Sequence, residues 1–381
     1  MRRIYSFVLL SSALGPWSAP AASQQATAQS TASASPVANQ YICMFDASVG
    51  KGDVRSEANR AAGPELGRVL HLYQNTIRGF AVRLAASAPG SASAIARLRD
   101  NNPRISQCVA DGITRAALQR QPTAGPTTPW GVARVGGAGD GSGLANRAWV
   151  VDSGIDLNHP DLNVDTDDDY DVIDGDGVAE DGHGHGTHVA GIIGALNNTI
   201  GVVGVAAGVK VVPIRVLNNQ GVGPDSGVIA GIDHAAGLAV PGDVINLSLV
   251  ADAVDPLMDE AVRRAAALGI LITIAAGNDS ANAANYSPGR TEGAGIYTVS
   301  AFGSRDTFAR FSNYGNPPVD YSEPGVDIRS TFKGDTYAVM SGTSMAAPHL
   351  AGILLLNPAG PSAGGTVKRD PDGNADTIGV R

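Results

Sequence analysis

The apolar positions change rhythm near residue 130. Beyond it come short unbroken apolar runs, "RAWVVD" (147–152), "KVVPIRVL" (210–217), "DVINLSL" (243–249), "ILITIAA" (270–276) and "IYTVSA" (296–301). Such runs suit strands buried on both faces. Between them "GTHVAGIIGAL" (186–196), "DSGVIAGIDHAAGLA" (225–239) and "DPLMDEAVRRAAALG" (255–269) carry helical spacing. Strands alternating with helices predict right-handed crossovers and a parallel sheet, with functional groups gathered at the carboxyl ends of strands. Earlier in the chain the runs are shorter. "YICMF", "RVLHLYQNTIRGFAVRL" and "RISQCVADG" predict three or four strands, with a helix around 91–99, a small α+β unit over 40–120. The break "QPTAGPTTP" (121–129) opens the second domain, 121–381.

The first residues read as an address. "MRRIYSFVLLSSALGPWSAPAAS" sets Arg2 and Arg3 before an apolar run and then Ala19, Pro20 and Ala21, the layout of an export signal over 1–21. The run is shorter than the ~20 apolar residues of a spanning helix. A secreted protein, extracellular or periplasmic, with no membrane anchor after signal removal, is therefore expected. Residues 22–39, rich in Ala, Ser, Thr and Gln, have linker composition.

Charge adds an expectation about assembly. Residues 40–120 hold 11 Lys/Arg and 6 Asp/Glu, 11 − 6 = +5, whereas 121–381 hold 14 and 30, 14 − 30 = −16. The two parts should attract each other. The whole chain is acidic, −9, and no nucleic-acid partner is expected.

Candidate chemistry centres on "MSGTSMAAPHLAG" (340–352), where Ser341, Thr343 and Ser344 precede an apolar stretch. A serine nucleophile requires a base and a group that orients the base. Asp152 closes the first strand of the second domain in "VVDSGID", and His185 in "DGHGHGTHVAG" precedes a helix, with His183 and His188 as competing bases. The order Asp152, His185, Ser344 discriminates between folds. An α/β-hydrolase places acid and base after the serine, where only 381 − 344 = 37 residues remain. A chymotrypsin-like arrangement needs a β-barrel, which alternating strands and helices exclude.

The blocks "VVDSGIDLNHPDL", "DGHGHGTHVAG", "ITIAAGND" and "SGTSMAAPH" resemble those of the subtilisin-like serine proteases, in the family's order. The resemblance implies an α/β fold, a parallel-sheet, three-layer catalytic domain preceded by a ferredoxin-like propeptide domain. It implies a secreted serine endopeptidase, made as a self-processing zymogen and acting on protein or peptide substrates. Ser344 would be the nucleophile, His185 the base, Asp152 its orienting acid and Asn278 a side-chain donor to the oxyanion. Ser341 and Thr343 are left as structural hydroxyls. Substrate would pair with Ser248, Leu249 and Val250 on one edge, where Val250 stands in place of the family's glycine, and meet Ala275 to Gly277 opposite.

Residues 40–120 resemble the family's propeptide, an intramolecular inhibitor and folding aid cut off between about 117 and 128. For Cys43 and Cys108, a disulfide across neighbouring strands and a pair of small buried thiols both fit. No cofactor is needed for the chemistry. Nine carboxylates lie in 165–181 without a Lys or Arg, a composition suited to structural calcium or to a solvated acidic loop, with no ligand assignable. The tail, interrupted by Pro358 and Pro361, departs from the family's longer helical finish and reads as turns and a short extended end. Two other readings of the same residues are a silent homologue acting as a binding protein and an esterase using the same triad.

Overall fold

The structure, a computed structural model, describes residues 36–85, 91–116, 120–122 and 127–381. The export signal and most of the linker lie outside the described residues.

Residues from 40 onward form a four-stranded antiparallel sheet in the order Gly67–Tyr73, Gly79–Leu84, Gln40–Phe45, Ile105–Ala110. Its register sets Cys43 opposite Cys108, and the two are joined in a disulfide. Two helices, Val54–Leu66 and Ser91–Asn101, cover one face. The first of them has no counterpart in the sequence-based expectation. Its inward face is Val54, Ala58, Ala61 and Ala62, spaced for a helix but too weakly apolar to stand out. The other face of the sheet offers Ile42, Tyr73, Ile77 and Ala81 to the core beneath helices Asp225–Leu238 and Pro256–Ala266.

The expected parallel sheet is present. Its strands run Lys210–Arg215, Ala148–Asp152, Val244–Leu247, Leu271–Ala275, Ile296–Gly303 and Val319–Pro324, all parallel. Side-chain alternation explains their unbroken apolar runs. Val150 packs with helices His185–Gly194 and Thr343–Leu356 on one face, while Trp149 and Val151 pack with Asp225–Leu238 and Pro256–Ala266 on the other. Three layers result. From Ala148–Asp152 the chain turns to one side for Lys210–Arg215 and to the other for Val244–Leu247, so Asp152 ends its strand at the switch point of the sheet.

The tail is more ordered than turns and an extended end. Ser362–Thr366 pairs antiparallel with Thr377–Val380, and the latter joins the main sheet beside Val319–Pro324. Buried Ile378 and Val367 fill a small core with Phe302 and Phe308. The acidic stretch also finds partners that its own composition hides. Asp165 and Asp168 meet Arg147, Lys210 reaches Asp165, and Arg215 contacts Asp171 and Asp174. These carboxylates are spent on cations from neighbouring strands, and among the described residues no three acidic, histidine or cysteine side chains converge as a metal site.

Candidate active site

Asp152 and His185 are brought together by close backbone packing. A Cβ at Gly186 would stand 2.0 Å from the Gly154 carbonyl and 3.1 Å from the Asp152 Cβ, so only glycine lets this helix start approach the strand end. The His185 Nδ1 lies 2.7 and 2.8 Å from the two Asp152 carboxylate oxygens. Both side chains are fully buried, and the His185 Nε2 has no hydrogen-bond partner. With Nδ1–H given to the carboxylate, Nε2 is the basic nitrogen.

The two competing histidines separate clearly. His188 points from the same helix to the carbonyls of Ile328 and Ala338, each at 3.1 Å. Burial pushes its pKa down to about 3, which keeps it a neutral structural donor. The ring of His183 lies 6.3 Å from that of His185, and it is the His185 ring that meets the Asp152 carboxylate.

Ser344 sits in the first turn of Thr343–Leu356, and its hydroxyl donates to the Ser248 carbonyl at 3.0 Å instead of to His185. Pro348, four residues on, has no N–H for the Ser344 carbonyl. Ser248 Oγ fills that gap with a donation at 2.8 Å. Ser341 accepts from the Asp327 N–H, and Thr343 Oγ1 accepts from the Gly277 N–H at 3.1 Å. The Asn278 Oδ1 accepts the Thr343 N–H at 2.8 Å, which orients the amide and leaves Nδ2 as its donor end.

The expected substrate edge is occupied by the chain itself. Ile113–Arg115 is the middle strand of an antiparallel sheet between Val222–Pro224 and Val250–Ala251, with Arg115 opposite Val250. Leu249 is buried, and Val250 is half-buried at 3.6 Å from the Cβ position of Gly277, between the two walls. Ala275 is enclosed in its strand against Val299.

One organising residue escaped the sequence reading. Asp181, one of the nine loop carboxylates, accepts the Ser153 hydroxyl at 2.8 Å, the His183 and Gly184 N–H groups at 2.9 and 2.7 Å, and both the N–H and hydroxyl of Thr187 at 2.9 and 2.6 Å. It ties the residue after Asp152 to the turn that carries His185. Its position just ahead of a helix is the only sequence signal.

A buried acid–imidazole pair and a helix-start serine at one edge of a parallel sheet define a serine hydrolase of the three-layer α/β class. Residues 149–360 match the model of the Subtilase family. The Extracellular serine proteinase of Thermus sp. (strain Rt41A) is 38% identical over 314 residues, 80% of this chain and 72% of that protein. The M-protease of Shouchella clausii (strain KSM-K16) is 39% identical, and there the match spans 61% of this chain and 60% of the relative's length. A solved cold adapted subtilisin-like serine proteinase aligns with TM-score 0.59 and 33% identity over 66% of this chain and 97% of that one. The chain belongs to the subtilase family and has the fold of subtilisin-like serine endopeptidases.

Proposed function

We propose that the protein is a secreted serine endopeptidase, made as a zymogen whose residues 40 to about 116 form the inhibitory propeptide. The observation that carries this reading is the seating of Ile113–Arg115 between two strand edges, one of which leads back to Ser248, where the Ser344 hydroxyl is held. A peptide substrate added to the same edges would bring its carbonyl to Ser344.

His185 Nε2 takes the Ser344 proton as the oxygen attacks the peptide carbonyl, and Asp152 stabilises the imidazolium. Asn278 Nδ2 and the Ser344 N–H receive the oxyanion. The proton then passes to the departing amine. Water, activated by the same imidazole, releases the acyl group. Ser344 must first give up its bond to the Ser248 carbonyl.

The same layout supports self-cleavage. Arg115 is paired with Val250 on one side, and Arg120 with Met340 on the other, two residues before Gly342. We place the cleaved bond between Ala116 and Arg120, at the near end of the expected window. Secretion is supported by the signal-like first residues and by the name of the Thermus relative. Among the described residues no helix is long and apolar enough to cross a membrane.

A serine-directed phosphonylating probe should label Ser344, and Ser344→Ala should accumulate as the uncut chain. Normal processing of Ser344→Ala in a protease-free host would overturn this function.

A further inference from the structure

Two carboxylates line the edges that hold Ile113–Arg115, and each meets one side chain of that strand. Thr114 is fully buried, and its hydroxyl donates to the Asp225 Oδ1 at 2.6 Å. The other Asp225 oxygen takes the space a side chain at position 112 would need. A Cβ at Gly112 would stand 2.1 Å from it. Arg115, one residue on, points the other way and grips Asp252 with Nε at 3.2 Å from both oxygens and a terminal nitrogen at 3.1 Å. This ion pair joins the N-terminal unit to the second domain.

We infer that Asp225 and Asp252 set the side-chain preference of the cleft: a small hydroxyl side chain where Thr114 sits and a basic one where Arg115 sits. The inference rests on the reading of Ile113–Arg115 as occupying the substrate path. The two acids act differently because their surroundings differ. Asp225 lies at the start of helix Asp225–Leu238, is almost wholly enclosed, and has no cation bonded to it. Burial, followed by neighbouring acids, pushes its pKa up to about 8, so it meets the strand as a neutral carboxyl group. A neutral buried carboxyl rewards a hydroxyl and penalises an apolar isostere that leaves it unpaired. Asp252 is partly open to water. Its charge also helps hold the Asp279 pKa up, after burial, so this wall of the cleft is electronegative and favours a guanidinium or ammonium group.

The test uses the purified, self-processed protein and peptides copying residues 111–121, with either Thr or Val at position 114 and either Arg or Glu at position 115. In the parent enzyme kcat/KM should drop about fivefold from Arg to Glu, in keeping with a half-exposed pair. It should drop about tenfold from Thr to Val, as for a buried group losing its partner. Asp252→Lys should invert the Arg/Glu order, and Asp225→Ala should erase the Thr/Val difference. Unchanged ratios in the two variants would overturn the inference.

A second measurement does not depend on catalysis. In the full chain carrying Ser344→Ala, amide exchange at Thr114 and Arg115 should speed up with Arg115→Glu and slow again when Asp252→Lys is added. Absence of that rescue would overturn the role of Asp252. If no peptide is cleaved and Ser344 does not react with the phosphonylating probe, the endopeptidase reading fails, and the exchange result alone decides the pairing.

Discussion

Ser248 and Ser344 exchange hydrogen bonds: the Ser344 hydroxyl donates to the Ser248 carbonyl at 3.0 Å, and the Ser248 hydroxyl donates to the Ser344 carbonyl at 2.8 Å. The second bond replaces the helical bond that Pro348 cannot supply. It fixes the first turn of the nucleophile helix to the end of a neighbouring strand. The Ser248 hydroxyl is itself held by the Asn246 amide at 2.9 Å.

Ser248→Ala should therefore strand a buried carbonyl, at a cost of about 1–3 kcal/mol. Measured in the Ser344→Ala background, where self-digestion is absent, the unfolding midpoint should fall. With Ser344 intact, reaction with the phosphonylating probe should slow because the helix start is no longer held. An unchanged midpoint would show that the reciprocal bond contributes nothing.

Asp181 is the acceptor for five donors around the turn that precedes His185, and none of these contacts touches Asp152 or Ser344 directly. Asp181→Ala should release the turn and misplace the imidazole, lowering kcat by about 10²-fold, the scale of a 1 Å misplacement. Asp181→Asn, which keeps acceptor oxygen on one side only, should fall between the two. Because Asp181 acts through His185, KM for a short peptide should change less than kcat. Equal losses in KM and kcat would mark a general loss of structure instead.

How much of this was legible in the residues depends on how far apart the partners lie. Asp152, His185 and Ser344 each stand in a local block whose small neighbours and strand or helix context can be read directly, and the sheet follows from runs of Val, Ile and Leu. Asp181 was hidden among eight other carboxylates, and what distinguishes it is contact with Ser153 and Thr187. The acidic loop looked uncompensated because Arg147, Lys210 and Arg215 reach it from other strands. Helix Val54–Leu66 was missed because alanines form most of its buried face. Asp225 and Asp252 gain meaning only when residues 113–115 are laid between their strands.

Asp225 also predicts a pH dependence. Its carboxyl is raised to about 8 in the folded chain, chiefly by burial, from an ordinary value near 3.8. Between those values the folded state keeps a proton that the unfolded state has lost. Its contribution is complete below about pH 4 and is lost as pH rises toward 8, at about 1.4 kcal/mol per pH unit. Asp225→Asn mimics the protonated group. In the Ser344→Ala chain, Asp225→Asn should match its parent near pH 4 and become the more stable of the two by pH 8. A constant difference in unfolding midpoint across that range would remove Asp225 as the titrating group.

Asp233 tests what fastens the N-terminal unit to the second domain. The opposite net charges predict attraction, yet beside the shared apolar core the polar contacts across the boundary include several hydrogen bonds that converge on single carboxylates. Asp233 accepts the N–H groups of Gln74, Asn75 and Thr76 at 3.0, 2.7 and 2.6 Å, and the Thr76 hydroxyl at 2.8 Å. Asp111 reciprocates by accepting the Ser226 N–H at 2.9 Å at the start of helix Asp225–Leu238. Short contacts of this kind, largely out of water, are little screened by salt, whereas exposed charges separated by more than ~10 Å lose their attraction at 0.1 M. Raising salt to 1 M should therefore leave amide exchange at residues 74–76 nearly unchanged in the Ser344→Ala chain. Asp233→Ala should accelerate it by more than tenfold, since three backbone donors lose a charged acceptor together. Strong salt acceleration in the parent, with little effect of Asp233→Ala, would instead assign the attachment to the net charge of the two parts.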